Sequence, residues 1–189
     1  MGPRPGYARA VTRVRFVLAV VAIGSIALTP PPAVAGIPPG RVAIGDSVML
    51  GAKDELVARG FRVNATVSRQ FRDVVPLLEQ MKSAGRLRRK VIIHLGNNGI
   101  LIDAADCNRI SEIAGPNRTL SLVNLKIPRW YRSVQNRRLA ACAGRRANTV
   151  LVNWFFFSRD HPFWFAADGF HLSPTGQARY AAFVATKTA

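Results

Sequence analysis

The sequence is poor in acid, in histidine and in sulfur. Of its 189 residues 10 are Asp or Glu and 3 are His, against 27 Lys and Arg, and there are 2 cysteines. His94, His161 and His171 are scattered, and neither cysteine has a metal-ligand neighbour at useful spacing, so no metal site and no cofactor are expected. The longest apolar run, Phe16 to Leu28, covers 13 residues. As a helix it would span about 20 Å, short of the roughly 30 Å hydrocarbon core, and Pro30-Pro31-Pro32 block its extension. Internal repeats and low-complexity segments are absent, and length alone argues for one domain. The basic runs carry no interleaved aromatics of the kind that stack on bases, so nucleic acid is not an expected partner.

What is present begins with an export signal. Arg4, Arg9, Arg13 and Arg15 form an acid-free basic stretch before the apolar run, and Ala33-Val34-Ala35 before Gly36 has the small-x-small pattern of a cleavage site. Residues 1–35 therefore read as a secretory signal peptide, residues 36–40 as a Pro/Gly-rich leader and 41–189 as the mature domain; an uncleaved anchor is the alternative. Val14 separates Arg13 from Arg15, so no twin-arginine pair is formed. Loss of the signal removes four arginines and no acid, lowering the formal charge from +17 to +13. Outside the membrane such a charge suits anionic lipid surfaces or phosphate- and carboxylate-bearing wall polymers. Arg86, Arg88, Arg89, Lys90, Arg137, Arg138, Arg145 and Arg146 supply much of it; a solvated arginine-rich face is the plainer reading. In an oxidising compartment Cys107 and Cys142 allow one bridge, worth about 3–4 kcal/mol in the chain-entropy model; free buried thiols are the alternative.

Short β-branched runs alternate with longer mixed segments, which predicts an α/β chain with a parallel sheet between helices. The expected strands are 42–44, 62–66, 91–95, 120–126 and 149–154. The expected helices are 47–59, 72–84 and 129–143, stopped by Gly60, Gly85 and Gly144, and a last one from Pro174 to Thr186 with Ser173 as cap. Sites in such sheets form outside the carboxyl ends of the strands. Gly45-Asp46-Ser47 follows the first strand, Gly96-Asn97-Asn98-Gly99 follows the third, and Asp168-Gly169-Phe170-His171 stands near the end. A serine hydroxyl needs an imidazole to take its proton and a third group to orient that imidazole. Asp168 and His171, three apart, can face the same way and bond to each other. Singly, each residue has a blander use: Ser47 as helix cap, Asp46 bonding its own turn, Asn98 in a left-handed turn. His94 reads as a satisfied core histidine and His161 as a loop residue.

In order and spacing these three blocks resemble blocks I, III and V of the SGNH (GDSL-type) hydrolase superfamily. Ile44 to Met49, Ser68-Arg69-Gln70, Leu95 to Gly99, Lys126-Ile127-Pro128-Arg129 and Asp168 to Gly176 resemble, more narrowly, the extracytoplasmic domain of peptidoglycan O-acetyltransferases. The resemblance implies a three-layer α/β/α sandwich on a five-stranded parallel sheet, the flavodoxin-like SGNH fold. It also implies Ser47 as nucleophile, His171 as general base and acid, Asp168 as its orienting group, and Ser47 and Asn98 as oxyanion donors. The second block usually brings a glycine; here Asn64 to Gln70 offers a backbone amide of Ser68 or Arg69 instead, and Asn64 stands where these domains often carry Asp. Gln70 falls to substrate binding.

Residues 154–165 hold seven of the sixteen aromatics, and Trp164 and Phe165 are expected to wall the acyl pocket or stack on a sugar ring, with membrane-surface insertion as the competing use. The expected activity is a secreted, cell-envelope serine esterase or O-acyltransferase acting on O-acetyl groups of an envelope polysaccharide. The sequence has no multi-span acyltransferase stretch, so transfer would draw on a separate membrane protein for its donor, and hydrolysis stands beside it. Other readings are a non-catalytic basic envelope-binding module on the same fold and a lipase-like esterase.

Overall fold

The structure, a computed structural model, describes residues 1–2, 40–99 and 102–189; the expected signal peptide beyond residue 2 and the expected leader before residue 40 lie outside the described residues. Five strands, β1 (Arg41–Gly45), β2 (Phe61–Ala65), β3 (Lys90–His94), β4 (Thr119–Val123) and β5 (Thr149–Val152), form one parallel sheet in the order β2-β1-β3-β4-β5. The order reverses between β1 and β3, so the chain leaving each of these strands opens into the same crevice.

Alternation along the strands sends successive side chains to opposite faces. Val42, Ile44, Val91, Ile93, Leu120 and Leu122 pack on one side against α3 (Val74–Ser83), α4 (Ala104–Ala114) and α5 (Arg132–Ala143). Ala43, Ile92, Val123 and Val152 pack on the other against α1 (Ser47–Gly51), α2 (Lys53–Ala58), α6 (Trp154–Ser158) and α7 (Pro174–Lys187). This is the three-layer sandwich expected. Trp154 centres the second layer, with rings of Phe157, Trp164, Phe165, Tyr180 and Phe183 around it at centroid distances of 5.1–6.1 Å.

Several boundaries differ from expectation. The helix at 47–59 is two helices meeting at Ala52, and α3 follows a 3-10 turn, Phe71–Asp73. Helix α5 starts at Arg132 rather than 129, because residues 124–131 form the loop after β4. Strand β4 ends at Val123 rather than 126, and β5 ends at Val152, where the Asn153 side chain accepts from Phe156 N and starts α6 at Trp154. Gly60 and Gly85 do adopt left-handed backbone, at φ 81° and 64°, but Gly144 does not, at φ −71°. Helix α4 was not anticipated at all. Its signal was the reciprocal cap in which Asp103 accepts from Asp106 N while Asp106 accepts from Asp103 N, followed by buried Cys107, Ile110, Ser111 and Ala114 at helical spacing.

Cys107 of α4 and Cys142 of α5 form a disulfide, closing a loop with a sequence separation of 35. On the opposite face His94 is fully buried. Its Nδ1 lies 2.8 Å from the Tyr180 hydroxyl, while Nε2 has no hydrogen-bond partner, so the core histidine is only half satisfied. Burial pushes its pKa down from 6.5 to about 3. The unfolded chain therefore binds one more proton between these values. Stability contributed at neutral pH falls as pH drops through that window, by about 1.4 kcal/mol per pH unit. Urea unfolding at pH 7 and pH 5 checks this: His94→Gln is expected to flatten the dependence, and parallel curves for both proteins refute it.

Candidate active site

Asp46 caps α1 and is fully buried. Its Oδ1 accepts from Val48 N at 3.1 Å and its Oδ2 from Asn97 Nδ2 at 2.9 Å, tying the loop after β1 to the loop after β3. Burial raises its pKa, against the opposing bonds from Asn97 and Val48. Asp46 thus does more than bond its own turn: with Asn97 it is a structural element of the site that residue type and local spacing do not reveal. Ser47 follows as the first residue of α1, so its backbone N–H is among those a helix start leaves without an intrahelical partner.

The Asp168–His171 turn closes through Gly169, whose φ of 76° lets Asp168 Oδ1 accept from both Phe170 N and His171 N at 3.0 Å. Asp168 Oδ2 lies 2.6 Å from His171 Nδ1, and Ser47 Oγ lies 2.9 Å from His171 Nε2. A carboxylate only accepts, so Nδ1 carries hydrogen and Nε2 turns its lone pair toward the Ser47 hydroxyl. Partial burial raises the Asp168 pKa, but the bond from His171 and the two amides outweigh it and the net shift is downward, keeping the carboxylate charged. Spacing accounts for the Asp168–His171 bond, and the fold brings Ser47, 124 positions away, to the same imidazole.

Gly96 turns the chain after β3 at φ 115°, and a Cβ there would sit 2.6 Å from Gln135 Nε2. Asn98 is not left-handed; Gly96 and Gly99 take that role. One N–H of the Asn98 amide donates to the Arg69 carbonyl at 3.0 Å, leaving a second for an oxyanion. Arg69 in turn donates from its guanidinium to Gly45 O at 3.1 Å, Asn64 O at 2.5 Å and Asn64 Oδ1 at 2.8 Å. Burial lowers its pKa, opposed by Asp73 and Asp46. Ser68, at φ 60°, is the non-glycine residue with positive φ among the described residues, and it takes the conformation that a glycine would supply at this turn. The loops after β1, β2 and β3 are thus hydrogen-bonded into one cradle beside Ser47.

Other expected residues are placed differently. Phe165 is 8 % exposed and packs against Trp154, with the Lys126 ammonium 4.5 Å from its ring centroid, so it is a core residue and no free pocket wall. Trp164 is half-buried between Trp154 and the exposed His161, whose ring stacks on it at 3.9 Å. Gln70 is half-buried, and its backbone N–H donates to Asp73. The most exposed rings are instead those of Phe163, Trp130 and Phe156, with Phe157 less so. The site is open: the His171 and Asp168 side chains are 41 % and 42 % exposed. Cavities of about 250 Å³ beside the disulfide and about 490 Å³ beside Arg69 and α3 are lined by neither Ser47 nor His171.

No family model matches the chain. It is 32% identical over 136 residues, 70% of its length, to the O-acetyltransferase OatA of Staphylococcus aureus, and 32% identical over 145 residues, 76% of its length, to the peptidoglycan O-acetyltransferase OatA of Listeria monocytogenes. It spans only 22% and 23% of those relatives' own lengths. Among solved structures, the C-terminal catalytic domain of the Streptococcus pneumoniae peptidoglycan O-acetyltransferase OatA superposes with TM-score 0.72 at 22% identity, over 80% of this chain and 93% of that one. A GDSL-like lipase from Bacteroides thetaiotaomicron superposes at 0.56 with 14% identity, over 78% of this chain and 86% of the other.

Proposed function

We propose, from the premise that the chain has the SGNH (GDSL-type) hydrolase fold and resembles part of the peptidoglycan O-acetyltransferases, that it is a serine esterase or O-acyltransferase acting on O-acetyl groups of an extracytoplasmic cell-wall polysaccharide. The continuous hydrogen-bonded line from Ser47 through His171 to Asp168 carries this reading.

In the first half-reaction Ser47 Oγ attacks the acetyl carbonyl carbon as His171 Nε2 takes its proton. The carbonyl oxygen becomes an oxyanion facing the Ser47 backbone N–H and the free N–H of Asn98, and each such donor is worth roughly 3–4 kcal/mol. A backbone amide at Arg69 is the third candidate donor. As the ester C–O bond breaks, His171 returns the proton to the departing alcohol oxygen, leaving acetyl on Ser47. In the second half-reaction His171 takes the proton of water or of a sugar hydroxyl as its oxygen attacks the acetyl carbon; the Ser47 Oγ–C bond then breaks and His171 returns the proton to Ser47 Oγ, releasing acetate or the new ester. Asp168 holds the imidazole in one tautomer and stabilises its charged form throughout. An open site suits a polymer, which reaches Ser47 without entering a cavity.

The basic surface supports a second reading, a non-catalytic envelope-binding module. Fluorophosphonate labelling separates them: the wild type is expected to be modified once and Ser47→Ala not at all. A wild type that fails to label sinks the enzymatic reading.

A further inference from the structure

The loop between β4 and α5 carries a ring that the core does not use. Trp130 is 85 % exposed, touching Tyr131 edge-on at 5.6 Å between centroids. Exposure of so large an apolar surface runs against folding, and here the segment bearing it is fixed on every side. Asn136 of α5 clasps Leu125, accepting from its N–H at 2.8 Å and donating to its carbonyl at 3.0 Å. Lys126 Nζ donates to Gly169 O at 3.1 Å, inside the turn that carries Asp168 and His171. Pro128 Cγ lies 3.7 Å from where a Cβ on Gly169 would stand. Arg132 donates to Ile127 O at 3.4 Å, and the Tyr131 hydroxyl donates to Asn97 O at 2.8 Å, one residue before Asn98. The loop therefore bridges the base-bearing turn and the oxyanion loop, and holds its indole out to solvent on a hydrogen-bonded frame.

We infer that Trp130 and its exposed neighbour Arg129 form a saccharide subsite for an acidic glycan strand, the indole stacking on the apolar face of a sugar ring and the guanidinium pairing with a carboxylate of the same strand. This deepens, and rests on, the proposed acetyl chemistry. The choice of occupant follows from position and charge. The loop that carries the subsite contacts both the Asp168–His171 turn and the Asn97–Asn98 loop, and the site there is open, so the surface beside it can add affinity. A planar ring next to a cation matches a ligand that is both ring-faced and anionic.

The test compares kcat/KM on O-acetylated, peptide-bearing glycan fragments with kcat/KM on 4-nitrophenyl acetate. Trp130→Ala is expected to lower the glycan-to-small-ester ratio at least about tenfold, chiefly through KM, and Trp130→Phe to restore it to within about threefold. Arg129→Gln is expected to lower the ratio for carboxylate-bearing fragments more than for neutral O-acetylated oligosaccharides. A ratio that Trp130→Ala leaves at the wild-type value, or one that Trp130→Phe does not restore, overturns the subsite. If the wild type turns over neither substrate, the acetyl chemistry fails. The subsite is then read by fluorescence: the fragments should perturb wild-type tryptophan emission and not that of Trp130→Phe, and equal responses refute it.

Discussion

Replacing His171 with alanine is expected to lower turnover of a small acetyl ester by on the order of 10⁴-fold or more, equivalent to about 5.5 kcal/mol of transition-state stabilisation. The size follows from the geometry. The Ser47 hydroxyl is a weak nucleophile at neutral pH, and the imidazole 2.9 Å away is the base positioned to take its proton. Without it the oxyanion donors still stabilise the tetrahedral intermediate, but the attack that forms it is slow, so only a residual rate remains. Asp168→Ala is expected to cost less, because His171 is 41 % exposed and water can occupy the vacated position, while the imidazole loses its orientation. Initial-rate assays on folded variants, checked by circular dichroism, decide the matter. Retention of a tenth of wild-type activity by His171→Ala would show that the hydrogen-bonded line is not the reacting centre.

The second large effect is on stability. Removal of the disulfide, by Cys107→Ala with Cys142→Ala or by reductant, is expected to cost about 3–4 kcal/mol, lowering Tm by roughly 10 °C. The bridge closes a loop with a separation of 35 residues, and both half-cystines are buried in the layer under the sheet. The loss is not confined to α4. Gln135 of α5 accepts from Ile102 N through Oε1 at 3.0 Å and packs under Gly96, so loosening α4 from α5 reaches the loop that presents Asn98. Activity is accordingly expected to fall before global unfolding when the wild type is heated under reducing conditions. Superimposable melting curves with and without reductant, with the bond shown to be open, would contradict the entropic account.

Much of this was legible beforehand for a physical reason. Short continuous apolar runs along Arg41–Gly45 and Lys90–His94, and glycines after helical runs at Gly60 and Gly85, are local signals that need no knowledge of the tertiary fold. Asp168 and His171 are three residues apart, so their mutual bond needs only a turn. Helix α4 was hidden because its cap is an Asp–Asp pair rather than the usual hydroxyl–carboxylamide signature, and its apolar face is broken by Ser111, which bonds back to Cys107 O. The aromatic run before the Asp168–His171 turn was harder to divide: of its seven rings Trp154 and Phe165 are consumed by the layer they fill, and sequence order does not tell which rings the core takes.

The sequence by itself determined the alternation of strand and helix, the Asp168–His171 spacing and the cysteine pair available for bridging, because each depends on residue type and short-range spacing, and it singled out Ser47 as the candidate nucleophile by resemblance. Only the tertiary structure decided that Asn97 bonds Asp46, that Asn98 is held by the Arg69 carbonyl, and that Trp130 rather than Phe165 faces solvent beside the site. Those outcomes depend on which loops the parallel crossovers bring together across the sheet, and contacts between residues 29 or 51 positions apart leave no periodic trace in the chain.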